Sequence, residues 1–440
     1  MVACGRVTTY LDAWSLSSSR TMSQAIRSLS LAVLGLAVVA AGGYIATRHK
    51  APPPPPPPPG NAVQDTVALA DSAIRQCHGL AGGAQMDCYD GFLVPLVASY
   101  GVPTAMGTLN VLGARDAQLR VDGHVYAHAI GIAAGRGGAG GGRADVARAF
   151  ASCSEIFQSG CYHGVIQAYF EDVRAVDTLS VNRLCGPFSS PSASQWLRFQ
   201  CVHGMGHGLT MFYGHDLPRA LTGCDLLRAQ WDRESCYGGA FMENVVNATA
   251  PHHAAHALHS HAGMQAVASF KALDGADLQY PCSIMAPRYL VACYNMQPSV
   301  MLYFTHGDIA AAARDCLGAP PGLRPVCYQG LGREISAYSR QDRAVAIRMC
   351  GFARTEYRPW CHVGVVKNFI DLTARFEDGI AYCRAVTGSA NLQECYEAVG
   401  EEIGTLRQDL RQREAACAES PEPYRSACRY GARLPGARPS

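Results

Sequence analysis

Charged side chains are scarce in this chain, 16% of 440 residues, and neither sign dominates: the net charge is +2. That excludes the basic footprint of a nucleic-acid-binding protein. It also excludes a disordered chain, because 48% of the residues are hydrophobic and can bury a core. No CxxC, CxxCH, HExxH, GxSxG or P-loop sequence occurs. Short-spaced zinc knuckles, covalent haem, zincins, serine hydrolases and Walker nucleotide sites therefore have no support. Apolar runs long enough to span a bilayer are also missing, except for one. A polytopic membrane protein is excluded.

That one run is residues 28–47, which carry no charge between Arg27 and Arg48. At about 1.5 Å per residue it spans roughly 30 Å, the thickness of a bilayer core. We expect residues 1–27 to be a cytoplasmic segment and 28–47 a transmembrane anchor. A cleaved signal peptide is the alternative reading of the same run. Met22 opens MSQAIR, a compact basic segment, and translation from Met22 would leave Cys4 out of the protein. Residues 48–66 form a proline-rich linker containing eight consecutive prolines, 52–59, which favour stiff polyproline II.

Cysteine, in contrast, is abundant: 19 residues, too many for a reducing cytosol unless they bind metal. They fall into Cys77–Cys88, Cys153–Cys161, Cys185–Cys201, Cys224–Cys236, Cys282–Cys293, Cys316–Cys327, Cys350–Cys361, Cys383–Cys395 and Cys417–Cys428, with Cys4 left over. From Cys293 the second members recur at steps of 34, 34, 34 and 33 residues. Such a period marks stacked supersecondary units. In one unit, Cys327 opens a helix with apolar residues at Leu331, Ile335 and Tyr338. A turn follows at Arg340–Asp342, and a second helix runs from Ala344 to Cys350-Gly351. A loop containing Pro359 then leads to Cys361. Pairing of neighbouring cysteines is the expectation, with each closed loop worth roughly 2–4 kcal/mol. Zinc ligation competes, but the usual gap of ten residues is too long for it. Disulfides place residues 67–430 on the oxidising side of the membrane, a single-pass extracytoplasmic or periplasmic arrangement.

A 34-residue two-helix unit with a cysteine staple resembles the tetratricopeptide and disulfide-bridged Sel1-like repeats. The resemblance is architectural, covers roughly residues 70–430, and departs in its longer cysteine gap. It implies an all-α fold, a right-handed α-solenoid with a concave binding face. No functional residue is carried over from it. Two insertions interrupt the repeat domain of residues 67–430: 131–143, a glycine-rich loop, and 244–279. Residues 431–440 are expected to form a disordered tail.

Histidine supplies the candidate site. Counted from the second cysteine of a pair, position +2 is His163 and His203, and +6 is His207. Positions four apart share a helix face. HVYAHAIG, in a unit without cysteines, contributes His124 and His128; setting His124 at +2 makes three successive units carry imidazole. Helices packed 8–10 Å apart would let these rings share one ion. The candidate ligands are therefore His124, His128, His163, His203 and His207. Glu243 is the candidate carboxylate ligand or general base. Zinc, iron or copper suits this donor set. A second tract, His252, His253, His256, His259 and His261, lies in the second insertion and could capture metal loosely.

Position +3 is often glycine, as at Gly91, Gly164, Gly204, Gly239, Gly330 and Gly364. Something must approach closely there, and a neighbouring helix is favoured over a ligand. Glu243, Glu334 and Glu402 share +7 and could line an acidic groove. The GxGxxG at Gly135–Gly140 lacks a preceding strand and is a chance match. Asn247 begins a glycosylation sequon.

Three functions follow as expectations. The first is a membrane-anchored metal-binding protein, with catalysis left open. The second is a metal-free scaffold binding a peptide, glycan or protein on the concave face. The third is a metal chaperone or sensor using the histidine-rich loop.

Overall fold

A computed structural model describes residues 65–137, 145–171, 173, 175–189, 194–249 and 270–437. The chain divides at Gly60, and all these residues belong to the unit Asn61–Ser440. Among them there are helices and no strands. None of these helices is long and apolar enough to cross a membrane. The 28–47 run, the proline-rich linker and the 252–261 histidine tract lie outside the described residues.

The first helices are α1 (Thr66–Cys77), α2 (Gly83–Tyr100), α3 (Val102–Arg115), α4 (Ala117–Val121) and α5 (Gly123–Gly135). Long and short helices then alternate: α6 (Val146–Ser152), α7 (Gly160–Glu171), α8 (Thr178–Leu184), α9 (Gln195–Phe212), α10 (Leu217–Asp225) and α11 (Gln230–Thr249). The second stretch holds α12 (Leu290–Phe304), α13 (Ile309–Asp315), α14 (Arg324–Tyr338), α15 (Arg343–Cys350) and α16 (Arg358–Thr373). It ends with α17 (Phe376–Cys383), α18 (Ser389–Leu406), α19 (Leu410–Cys417) and α20 (Glu422–Gly431).

Each long helix packs on the next long helix, from α5 through α7, α9, α11, α12, α14, α16 and α18 to α20. All nine neighbouring cysteine pairs are bonded. Most of them staple a short helix to the long helix that follows. The second cysteine does not open its helix as the spacing implied: α14 begins at Arg324 and α16 at Arg358, three residues earlier. Pro325 and Pro359 occupy the first turn, where a missing N–H costs nothing. The arginine three residues before the cysteine crosses the stapled loop. Arg324 Nε donates to Ala319 O, and Arg358 Nε to Ala353 O. Short helices start on an aspartate whose carboxylate accepts from the first-turn amides: Asp216, Asp308, Asp342 and Asp409.

Glycines set the closest approaches. A Cβ on Gly239 would lie 1.9 Å from His203 O, and one on Gly206 2.1 Å from Cys236 O. Gly364 and Gly332 face Gln329 O and Cys361 O in the same way, at 1.9 and 2.0 Å. So do Gly431 and Gly400 toward Glu397 O and Cys428 O, and Gly164 and Gly131 toward His128 O and Cys161 O. At Gly164, Gly239, Gly364 and Gly431 the neighbour at +3 is thus a helix backbone, and its partner is a glycine of the preceding helix, whereas Gly330 meets Asn295 O without a glycine partner, Gly204 meets the Ile166 side chain first, and Gly91 meets nothing within 4 Å. The lock also corrects a register. The carbonyl facing Gly164 is that of His128, just as that of His203 faces Gly239, so His128 rather than His124 stands at +2. Gly131 lies inside α5, which continues to Gly135, so the glycine-rich insertion begins later than residue 131. Likewise α11 continues through Thr249, past the expected start of the second insertion.

Candidate metal centre

The cluster is built from four successive long helices. α5 brings His124 and His128, α7 brings His163, α9 brings His203 and His207, and α11 brings Glu243. The Gly131/Gly164 and Gly206/Gly239 locks draw these helices to backbone contact on this face. The five imidazoles form one continuous set of ring contacts. Centroids are 5.4 Å apart for His124–His163 and 5.9 Å for His128–His207. They are 5.0 Å for His163–His203, 5.1 Å for His163–His207 and 5.3 Å for His203–His207.

Three of the five come within range of a common ion. One ring nitrogen from each of His163, His203 and His207 lies within 4.8 Å of the other two. All three residues are buried, with His203 the most open at 9% exposure. His124 is held apart by a hydrogen bond from its Nδ1 to Phe157 O. His128 packs against His124 and His207 without joining the trio.

Two rings of the trio are braced from behind. His163 Nε2 donates to Gln200 Oε1 at 2.9 Å, which leaves Nδ1 unprotonated and without a hydrogen bond. His207 Nδ1 donates to Glu243 Oε2 at 2.9 Å, which leaves Nε2 in the same condition. The backbone of Ser235 acts against the loss of charge on His203. Glu243 therefore sits on the far nitrogen of His207 and not among the three ligand atoms. Gln167, one turn after His163, is buried with both side-chain polar atoms unpartnered. Buried acceptors without partners cost about 1–3 kcal/mol each, so their concentration here calls for a bound group.

Burial keeps the imidazoles neutral. His163 and His203 are pushed well below the ordinary histidine value by desolvation first and by neighbouring histidines second. Desolvation alone lowers His207 to about 3, and His124 falls to about 4 despite its bond to Phe157. Neutral imidazole is the form that ligates metal. His362 offers a contrast. It is equally buried, but its Nδ1 meets Tyr382 Oη at 2.7 Å, and among the described residues it belongs to no group of three ligands that could share an ion.

Sequence reasoning missed Gln200 and Ser235. The signal for Gln200 was its place directly before Cys201, four residues from Gly204 on the side of α9 that meets α7. The histidine tract 252–261 cannot be placed against the trio, because it falls outside the described residues. No protein-family model, curated protein or solved structure matches the chain.

Proposed function

We propose that the protein binds a divalent transition metal at His163, His203 and His207. One observation carries the reading: three buried neutral imidazoles converge, and two of them are braced through their remaining nitrogens by Gln200 and Glu243. Metal-bound histidines are commonly oriented in this way by a carboxylate, a carbonyl or an amide. Three imidazoles suit zinc, copper or iron, and a three-histidine set leaves a fourth position for water or another ligand. Glu243 then acts as the positioning residue for His207. Around this centre we propose a right-handed, Sel1-like solenoid held on the extracytoplasmic face of a membrane by the 28–47 run. Nine disulfides, in all but the unit that carries His124 and His128, and the helix-on-helix order support that arrangement.

The test is the metal content of the tag-free full-length chain after dialysis. We expect about one transition ion per chain, lost in His203→Ala and in His207→Ala and retained in His124→Ala. Glu243→Gln keeps the contact to His207 but removes its charge, and affinity should fall about 10- to 100-fold. No bound metal, or metal lost only when residues 250–262 are deleted, would refute the site and favour capture by the histidine-rich loop.

A further inference from the structure

The array returns on itself. α9 touches α18, and the Phe157 and Gln158 amides donate to Leu372 O and Asp371 O of α16, both at 3.1 Å. Between these regions lies a cavity of about 350 Å³, in the range of small-ligand sites.

One wall is aromatic. Trp196 and Phe199 of α9 and Trp231 of α11 stand with ring centroids 6.2 and 6.1 Å apart in sequence. The indole N–H of Trp196 is buried there without an acceptor, in a residue only 7% exposed. The remaining lining carries Asp371, Glu401 and Glu402. It also carries Lys367, Arg413 and Arg433, so the formal charges balance three to three. Two of the three cations are already engaged. Lys367 Nζ pairs with Glu401 and Glu402, and Arg413 donates to the carbonyls of Arg407 and Ala432.

A charged ligand would upset this balance in a partly enclosed space. A flat apolar face would stack on the indoles. Hydroxyls, which both donate and accept, would find carboxylate acceptors in Asp371, Glu401 and Glu402. We propose that the cavity is a carbohydrate site, with one uncharged sugar ring stacked on the tryptophans and its hydroxyls directed to the acidic side.

The test titrates the full-length protein with cellobiose, maltose and chitobiose, followed by tryptophan fluorescence and calorimetry, with choline and glutamate as charged comparisons. Saturable binding of at least one disaccharide is expected. It should weaken about tenfold in Trp231→Ala and about fivefold in Glu401→Gln, which removes an accepting charge at an accessible position. The same titration on chelator-treated protein should give the same affinity, which separates this site from the metal reading. The proposal is overturned if none of the three disaccharides binds, if choline or glutamate binds in their place, or if both variants bind like the parent.

Discussion

Gly206 and Gly239 clamp α9 to α11 just as Gly332 and Gly364 clamp α14 to α16. What each clamp carries differs. Six positions after the cysteine the first region has His207, whereas the second has Arg333, Lys367 and Glu401 in successive helices. The first set meets as a neutral cluster whose members lose their protons on burial. The second meets as ion pairs, Arg333 with Glu334 and Lys367 with Glu401. Backbone contact between glycines thus fixes where position +6 points, and residue type alone decides whether the wall coordinates or pairs charge. Arg333 stands where the two chemistries meet, since its charge acts on both His203 and Asp371.

The largest effect should come from breaking one clamp in each region. A methyl group at Gly239 or at Gly364 collides with a backbone carbonyl at the same 1.9 Å, and no side-chain rotation relieves it. Gly239→Ala and Gly364→Ala should each cost roughly 3 kcal/mol or more in denaturant unfolding. Their effects on metal should differ. Gly239→Ala displaces the carbonyl side of His203 and separates His207 from Glu243, so residual folded protein should lose its ion. Gly364→Ala should keep it. Equal metal loss in both would show that the regions are not separable.

Proton linkage sharpens the comparison at intermediate size. In metal-free protein the histidines titrate at 6.5 when unfolded and far lower when folded. The unfolded state then binds more protons, so this stability is complete above pH 6.5 and is lost as pH falls from there toward 4 and below. Glu402 behaves oppositely. Desolvation, the nearby Asp371 and Glu401 raise it above the ordinary 4.5, against the opposing charge of Lys367. Its contribution is complete below 4.5 and is lost as pH rises from there. Urea unfolding from pH 4 to 8 should show both limbs, and Glu402→Gln should shrink only the descending one, to which Asp371 also contributes. If Glu402→Gln flattened the acid limb instead, the assignment of limbs to regions would be wrong.

Much of this was legible because cysteine marks register. After most second cysteines, positions +2, +3 and +6 land as the sequence implied: His163 and His203 converge with His207, and +3 meets a helix at Gly164, Gly204, Gly239, Gly330 and Gly364, whereas Gly91 meets nothing. Residues 116–135 carry no cysteine, and there the register slipped by one turn, so His128 took the place expected for His124. Glycine at +5 went unread because its partner lies in the next helix. Glu243 was legible as a member of the site but not as the brace behind His207, which depends on how closely Gly206 and Gly239 bring α9 and α11. The tryptophan-lined cavity could not be foreseen, since it arises from the return of α18 onto α9 across about two hundred residues, a contact no local pattern encodes.

The smallest expected effect is one that should not distinguish the regions at all. Asp216 caps α10 by accepting from Arg219 N at 3.2 Å, and Asp342 caps α15 by accepting from Val345 N at 2.9 Å. Both short helices are joined to the long helices that follow by a disulfide. Replacing either aspartate by alanine leaves first-turn amides to water, at about 1 kcal/mol. Asp216→Ala and Asp342→Ala should therefore lower the unfolding free energy by similar amounts and leave metal content unchanged. Loss of metal in Asp216→Ala would mean that the short helices, and not the glycine locks alone, hold the imidazoles in register.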